Sequence, residues 1–291
     1  MKQLLILSGK GGTGKTTVAS SFISLSEARS FADCDVDAPN LHLVTRTEVL
    51  PEVKDYFGLP KAFIDPDICI GCDMCRQECR FEAISCEGDL YTVDNNACEG
   101  CGVCKYVCPV SAVCMHDEKA GEMMLYREKT HTFSTAKLRM GSGTSGMLVT
   151  EVKKRLMPYV DPSDLVIIDG SPGIGCPVIA SLSGVDMVLI VAEPTLSGIS
   201  DMERIIGTAL NFKIRTTVCI NKADINDKLS DEIEKYCADK KLHFLGRIPY
   251  DPLVVQSVND GKPVTDLDCP AGNAIKIVYN KSIKLLEEMA V

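Results

Sequence analysis

Two groups of residues in this 291-residue chain have types and spacings that could do chemistry. The first is Ser8-Gly9-Lys10-Gly11-Gly12-Thr13-Gly14-Lys15-Thr16-Thr17, which contains G-x4-G-K-[ST]. In such a loop consecutive backbone N–H groups converge on a phosphate, and the helix that follows adds partial positive charge at its N-terminus. Gly11, Gly12 and Gly14 permit the tight path. Lys15 is placed to reach the β- and γ-phosphates of a nucleotide, and the Thr16 hydroxyl to hold Mg²⁺. The second group is eight cysteines in two copies of C-x2-C-x2-C-x3-C: Cys69, Cys72, Cys75 and Cys79, then Cys98, Cys101, Cys104 and Cys108, the last followed by Pro109. Three thiolates from one tight loop, closed by a distant fourth, suit a [4Fe–4S] cluster, and in the doubled pattern the fourth cysteine of each run ligates the other cluster. That assigns Cys69, Cys72, Cys75 and Cys108 to one cluster and Cys98, Cys101, Cys104 and Cys79 to the other. Zinc also takes four thiolates, but the doubled spacing favours clusters. Proline follows Cys108, whereas Arg80 follows Cys79, a difference able to alter loop rigidity or one cluster's potential.

The elements that must hold these groups alternate in type. Residues 3–8 are a continuous apolar run ending in the glycine loop, and residues 15–28 have helical character, so the phosphate loop has its strand and helix. Phe31-Ala32-Asp33 ends a short second strand. Residues 165–168, 187–191 and 216–220 are short, β-branched-rich runs separated by helical stretches, including 200–210 and 230–239. Near-solid apolar strands alternating with helices indicate a mostly parallel sheet covered on both faces. Residues 140–146 form a Gly/Ser-rich loop before a helix over 147–156. A final helix is expected over 271–289, amphipathic and more in keeping with docking on the core than on a membrane surface. The cysteine block interrupts this alternation, and residues 69–83 match residues 98–112 at an offset of 29. The chain is therefore divided into 1–60, a first part of an α/β domain; 61–118, a small α+β insert; and 119–291, the remainder of the α/β domain.

Composition limits the function. The net charge of −9 argues against nucleic acid as a partner, and no apolar run reaches the ~20 residues needed to cross a bilayer. Residues 61–118 carry eleven acidic and four basic side chains, a local −7 that suits a partner with a basic docking patch, or else a solvated acidic face. The N-terminal strand runs directly into the phosphate loop without a signal peptide, so a reducing cytoplasm is expected, with the cysteines serving as metal ligands rather than disulfides. Seven cysteines remain outside the two runs. Most are expected to be small buried hydrophobes, but Cys34 and Cys176 lie near nucleotide-responsive segments and could face a dimer interface and hold metal.

The additional Lys10 makes the phosphate loop K-G-G-x-G-K-[ST], a deviant form that resembles the MinD family of P-loop ATPases, which includes MinD, the nitrogenase iron protein, CooC and the Mrp-type cluster carriers. Asp33-Cys34-Asp35-Val36-Asp37-Ala38-Pro39-Asn40 resembles the family's first switch, and Ile168-Asp169-Gly170-Ser171-Pro172-Gly173 its second. Ile220-Asn221-Lys222-Ala223-Asp224 and Ile248-Pro249-Tyr250-Asp251 resemble the segments that hold adenine. With the bacterial ferredoxin-like block between them, the chain looks like a MinD-superfamily ATPase with an inserted 2[4Fe–4S] domain. The resemblance implies a nucleotide-sandwich homodimer in which Lys10 reaches the partner's phosphates. It further implies that Asp35, in preference to Asp37, positions the attacking water, that Asp169 serves the Mg²⁺ shell, and that Gly173 senses the γ-phosphate. Thr13 and Thr17 complete the phosphate cradle, and Asn221, Pro249 and Tyr250 enclose the adenine. ATP or ADP, Mg²⁺ and two [4Fe–4S] clusters are the implied cofactors. Three functions fit: ATP-gated electron delivery supporting metallocofactor or cluster maturation, a cluster assembly and transfer factor acting on an apo-metalloprotein, and a partner-binding module whose clusters are structural.

Overall fold

A computed structural model describes residues 1–45, 47 and 49–288. The chain begins with β1 (Lys2–Leu7), the phosphate loop, α1 (Lys15–Ser26) and β2 (Ser30–Asp33). After a 3₁₀ turn at Leu41–Leu43 comes β3 (Glu52–Phe57). The cysteine block follows as β4 (Lys61–Ile64), α2 (Met74–Gln77), β5 (Ile84–Glu87), β6 (Leu90–Val93), α3 (Val103–Val107) and β7 (Val113–His116). The chain returns through β8 (Lys119–Arg127), β9 (Thr132–Leu138), α4 (Ser145–Leu156), β10 (Leu165–Asp169), α5 (Cys176–Leu182) and β11 (Met187–Ala192). It closes with α6 (Leu196–Asn211), β12 (Arg215–Asn221), α7 (Asp227–Asp239), β13 (His243–Ile248), α8 (Pro252–Asn259) and α9 (Pro270–Glu287). Met289, to which the final helix was expected to run, lies outside the described residues.

Nine strands form one sheet in the order β13-β12-β11-β1-β10-β2-β9-β8-β3. From β13 to β9 every pairing is parallel; β8 runs antiparallel to both β9 and β3. The central strands are apolar throughout because both faces are covered, and the two-residue period of a strand divides their side chains. Leu5 and Leu7 join a core with Leu148, Val152, Ile205 and Ile233, under α4, α6 and α7. Leu4 and Ile6 join the opposite core with Phe22, Ile275 and Val278, under α1 and α9. This arrangement is the expected mostly parallel α/β fold. The three strands β9, β8 and β3 extend it beyond the apolar runs of the sequence. The outermost, β3, is largely exposed and lacks the solid apolar character that marks the centre.

The cysteine block contributes no strand to that sheet. Its own two antiparallel pairs are β4 with β7 and β5 with β6. Its small core contains Ala62, Ile64, Ala83, Ile84, Tyr91 and Val113, with Cys75 and Cys98 among the buried residues. Since β3 and β8 pair with each other immediately on either side, the block leaves the main sheet and re-enters it at adjacent points.

Candidate nucleotide site and cysteine cavities

The phosphate loop is carried by β1, hydrogen-bonded on both sides by the parallel strands β10 and β11. Gly12 and Gly14 have φ of 79° and 89°, a region that non-glycine residues rarely adopt. No side chain caps the start of α1, so its first N–H groups stay available to an anion. A Cβ at Gly11 or Gly12 would meet nothing within 4 Å: this part of the loop faces open space. That space is a cavity of about 650 Å³ lined by residues 10–17 together with Asp35, Asp37, Asn40, Ser171 and Pro172. Its size falls within the ~300–1,000 Å³ of small-molecule sites.

Asp169, the last residue of β10, is fully buried behind Lys15 and Thr16, which line the cavity. Its Oδ1 accepts from Lys15 Nζ at 2.5 Å and its Oδ2 from Thr16 Oγ1 at 2.7 Å. Burial works against the Lys15 ammonium, but Asp169 and Asp33 outweigh it and hold the pKa above its ordinary value. Asp33 ends β2 with no exposed surface. Its carboxylate accepts from the backbone N–H groups of Asp35 (2.9 Å), Asn40 (3.0 Å) and Leu41 (3.0 Å), folding the whole 35–41 segment back onto the strand end. Burial, followed by the charge of Asp169, pushes the Asp33 pKa up to about 7 despite Lys15. Asp35 lines the cavity, and burial raises its pKa to about 6, with Lys15 opposing.

Lys10 does not extend freely from the loop. Its Nζ pairs with Glu193 Oε2 at 2.9 Å and donates to Thr195 Oγ1 at 3.2 Å. Glu193 also pairs with Lys222, whose Nζ donates to the Gly12 carbonyl at 3.0 Å. Asn221 donates its side-chain amide to the Thr13 carbonyl at 2.7 Å, against the face of Gly14 where a Cβ would collide with it. Gly173, at φ 94°, donates its N–H to the Ser8 carbonyl at 3.0 Å, which ties the second switch segment to the phosphate loop. Pro249 and Tyr250 follow β13, and the Tyr250 N–H is fixed by Asp224 Oδ1 at 2.6 Å. Neither they nor Asn221 border the phosphate cavity.

In the cysteine block the two runs interleave. One cavity is lined by Cys69, Cys72, Cys75 and Cys108 with Ile64, Ile70, Val110 and Val113. The other is lined by Cys79, Cys98, Cys101 and Cys104 with Ala62, Phe81, Val93 and Val103. Burial and then the neighbouring sulfurs of Cys69, Cys104 and Cys72 raise the Cys75 thiol pKa; Cys104 is raised by burial and by Cys98, Cys101 and Cys79, although a backbone N–H lowers it. Among the described residues no three His, Cys, Asp or Glu side chains converge on a point suited to a single metal ion. A tetranuclear cluster makes a different demand: each thiolate takes its own iron, so the four sulfurs are spread over a cube instead of lying about 2.3 Å from one centre. Four thiols around an apolar cavity fit that group in number, chemistry and surroundings.

Residues 4–264 match the CobQ/CobB/MinD/ParA nucleotide binding domain. The chain belongs to this family. Two uncharacterized proteins of Methanocaldococcus jannaschii are similar along nearly the whole length, at 30% identity over 96% of this chain and 95% of the relative, and at 27% over 90% and 92%. The septum site-determining protein MinD of Helicobacter pylori is 27% identical over 40% of this chain and 48% of its own. Among solved structures, MinD of Pyrococcus horikoshii complexed with Mg-ADP superposes with a TM-score of 0.59 at 17% identity, covering 98% of this chain and 96% of that one. MinD in the MinC:MinD complex of Aquifex aeolicus gives 0.57 at 18%, covering 98% and 96%. At these identities the solved structures bear on the fold alone.

Membership in this MinD/ParA-type family accounts for the nucleotide-binding layout, while the three-dimensional arrangement adds residues that motifs did not single out. Asp33 looks like an ordinary strand end in the sequence; its signal was an acid placed where a parallel strand meets a loop and followed two residues later by a second acid. Glu193 follows the solid apolar β11 and precedes a proline, a position with little to distinguish it until Lys10 and Lys222 close on it. One expectation is corrected. Cys34 does not face an interface: it has no exposed surface and packs in the core beneath α4, and burial drives its thiol pKa to about 12. Cys176 is exposed, at the first position of α5. Among the described residues no helix is long and apolar enough to cross a membrane.

Proposed function

We propose that this protein is a Mg²⁺-ATP-hydrolysing switch, working as a nucleotide-sandwich homodimer, whose ferredoxin-like insert at 61–118 carries two [4Fe–4S] clusters and delivers electrons in support of metallocofactor or cluster maturation. Residues 1–60 and 119–291 form the ATPase domain in this reading. The observation that carries it is the interleaving of the two cysteine runs around two cavities, in a chain whose nucleotide site is of the MinD/ParA type. When bound, the clusters would supply one-electron transfer.

The chain's own residues supply the rest. Lys15 and the first N–H groups of α1 neutralise and orient the phosphates, and Asp169 with Thr16 holds the Mg²⁺ shell. Asp35, its pKa raised to about 6, has the basicity to take a proton from an attacking water near neutral pH. Lys10 must leave Glu193 to reach a partner's phosphates, so that its removal from this ion pair accompanies dimer closure. Asn221, which braces the Thr13 carbonyl, would enclose the adenine together with Pro249 and Tyr250.

A second reading, transfer of clusters to an apo-metalloprotein, draws support from the exposure of Cys72 and Cys101, one in each cavity. The deciding experiment is anaerobic reconstitution followed by an EPR-monitored redox titration of Asp35→Asn protein with and without ATP. About eight irons per chain and a potential that moves with nucleotide support gated electron delivery. Iron that leaves for an apo-acceptor only during ATP turnover supports transfer, and protein that binds no iron sinks both readings.

A further inference from the structure

Three close packings made by glycines lead from the nucleotide site to the second cysteine run. The first lies just beyond the Asp169–Gly173 segment. Cys176 opens α5, and a Cβ at Gly146, in the first turn of α4, would fall 3.1 Å from the Cys176 Cβ and 3.1 Å from its carbonyl oxygen. The starts of the two helices therefore touch with no side chain of Gly146 between them.

The second lies at Thr144, which precedes α4. A Cβ at Gly58, in the turn that leaves β3 for the cysteine block, would lie 2.7 Å from Thr144 Oγ1, and the Tyr56 hydroxyl of β3 donates to the Thr144 carbonyl at 3.4 Å. The third is the loop itself. Gly141 and Gly143 have φ of 81° and 69°. A Cβ at Gly143 would be 3.0 Å from Glu99 Oε2, and one at Gly141 would be 3.3 Å from Asn96 Oδ1.

Asn96 and Glu99 flank Cys98, so the loop rests on the second cysteine run. On the same side a Cβ at Gly100 would meet the Pro60 carbonyl at 2.5 Å, and Lys61 Nζ donates to the Cys98 carbonyl. The repeat provides an internal control. Gly71 occupies in the first run the place Gly100 has in the second, with the same φ of 68°, and a Cβ there would meet nothing within 4 Å.

We propose that residues 140–146 form a strut that transmits the nucleotide state of the second switch segment to the second cysteine run and leaves the first run uncoupled. Packed backbone is nearly incompressible, so a shift at the start of α5 must move the first turn of α4 or open a void between them. The inference rests on the nucleotide-switch reading but not on what the cysteines bind.

Contiguity alone does not establish coupling, so the test measures it. Hydrogen exchange by mass spectrometry is compared for the full-length, anaerobically reconstituted chain with Mg-ADP and with Mg²⁺ and a non-hydrolysable ATP analogue. The expected result is a change of about twofold or more in exchange at residues 140–147 and 96–104, and none at 67–79. Glu99→Ala, at an exposed position, and Gly146→Ala should each abolish the response at 96–104 while residues 8–17 remain protected by nucleotide. If 8–17 respond and wild-type 96–104 do not, the strut is wrong and the nucleotide reading stands. If both variants keep the response, or the first run responds equally, the strut is also wrong. If nucleotide leaves 8–17 unprotected, the nucleotide reading fails and the strut falls with it. Iron content, measured on the same samples, tests the cluster reading separately.

Discussion

The nine-stranded sheet and the cysteine block are stabilised by different physics. In the sheet, whole strands such as β11 are buried, and two apolar cores sandwich them. In the block the core is a handful of residues, two of them cysteines, while Ile70, Phe81 and Tyr106 remain exposed at 64%, 44% and 91%. A segment with so little to bury does not offset the conformational entropy of ordering its chain. The sheet folds because of what it hides from water; on the proposed function, the block depends on what its thiolates bind.

The largest expected effect follows from that contrast. Anaerobic iron chelation should abolish exchange protection across residues 61–118 and leave that of 187–192 unchanged, as read by hydrogen exchange. If both regions lose protection together, the two are one cooperative unit and the distinction fails. Within the sheet, Asp169→Ala removes the partner of a buried lysine. Hydrolysis, followed by phosphate release, should fall about 100-fold or more, and the unpaired Lys15 should destabilise the fold by ~3–5 kcal/mol in denaturant titrations.

Core truncation sharpens the comparison further. Leu189→Ala, at a position with no exposed surface, should cost ~2–5 kcal/mol, whereas Tyr106→Ala in the block should stay within about 0.5 kcal/mol. Equal costs would show that exposure does not distinguish the regions energetically. The remaining effect is that of pH. Asp33, raised by burial from 3.8 to about 7, binds a proton in the folded state that the unfolded chain has already released. Its contribution is present in full below about pH 4 and is lost as pH rises through about 7, with a slope of up to ~1.4 kcal/mol per pH unit. Urea titrations of the nucleotide-free protein should record that loss, and Asp33→Asn should flatten it. Turnover should move the other way, rising as Asp35 ionises through about pH 6.

The legible parts of the site were those in which a short stretch of backbone does the work. The glycine loop specifies its own path, and its strand and helix are adjacent in sequence. The alternation of apolar strands and helices likewise announced the parallel sheet. The strands β9, β8 and β3 were not legible: β3 is exposed at the edge, β8 has only part of its length buried, and β9, though buried, is rich in Thr and Ser, so none shows the solid apolar pattern. Asp33, though part of the first switch segment, and Glu193 were given no role for a related reason: each acts through partners brought together only by folding, the amides of a returning loop for one and two lysines from separate loops for the other.

By itself, then, the sequence determined which side chains are available for phosphate and thiolate chemistry, and at what local spacing, since motif geometry is a property of a few consecutive residues. Only the tertiary structure decided which groups meet. It brought Asp169 to Lys15 across 154 residues, buried Cys34 beneath α4, and set residues 140–146 against the second cysteine run but not the first. Such contacts depend on how parallel strands and helix faces stack, and no local spacing encodes that.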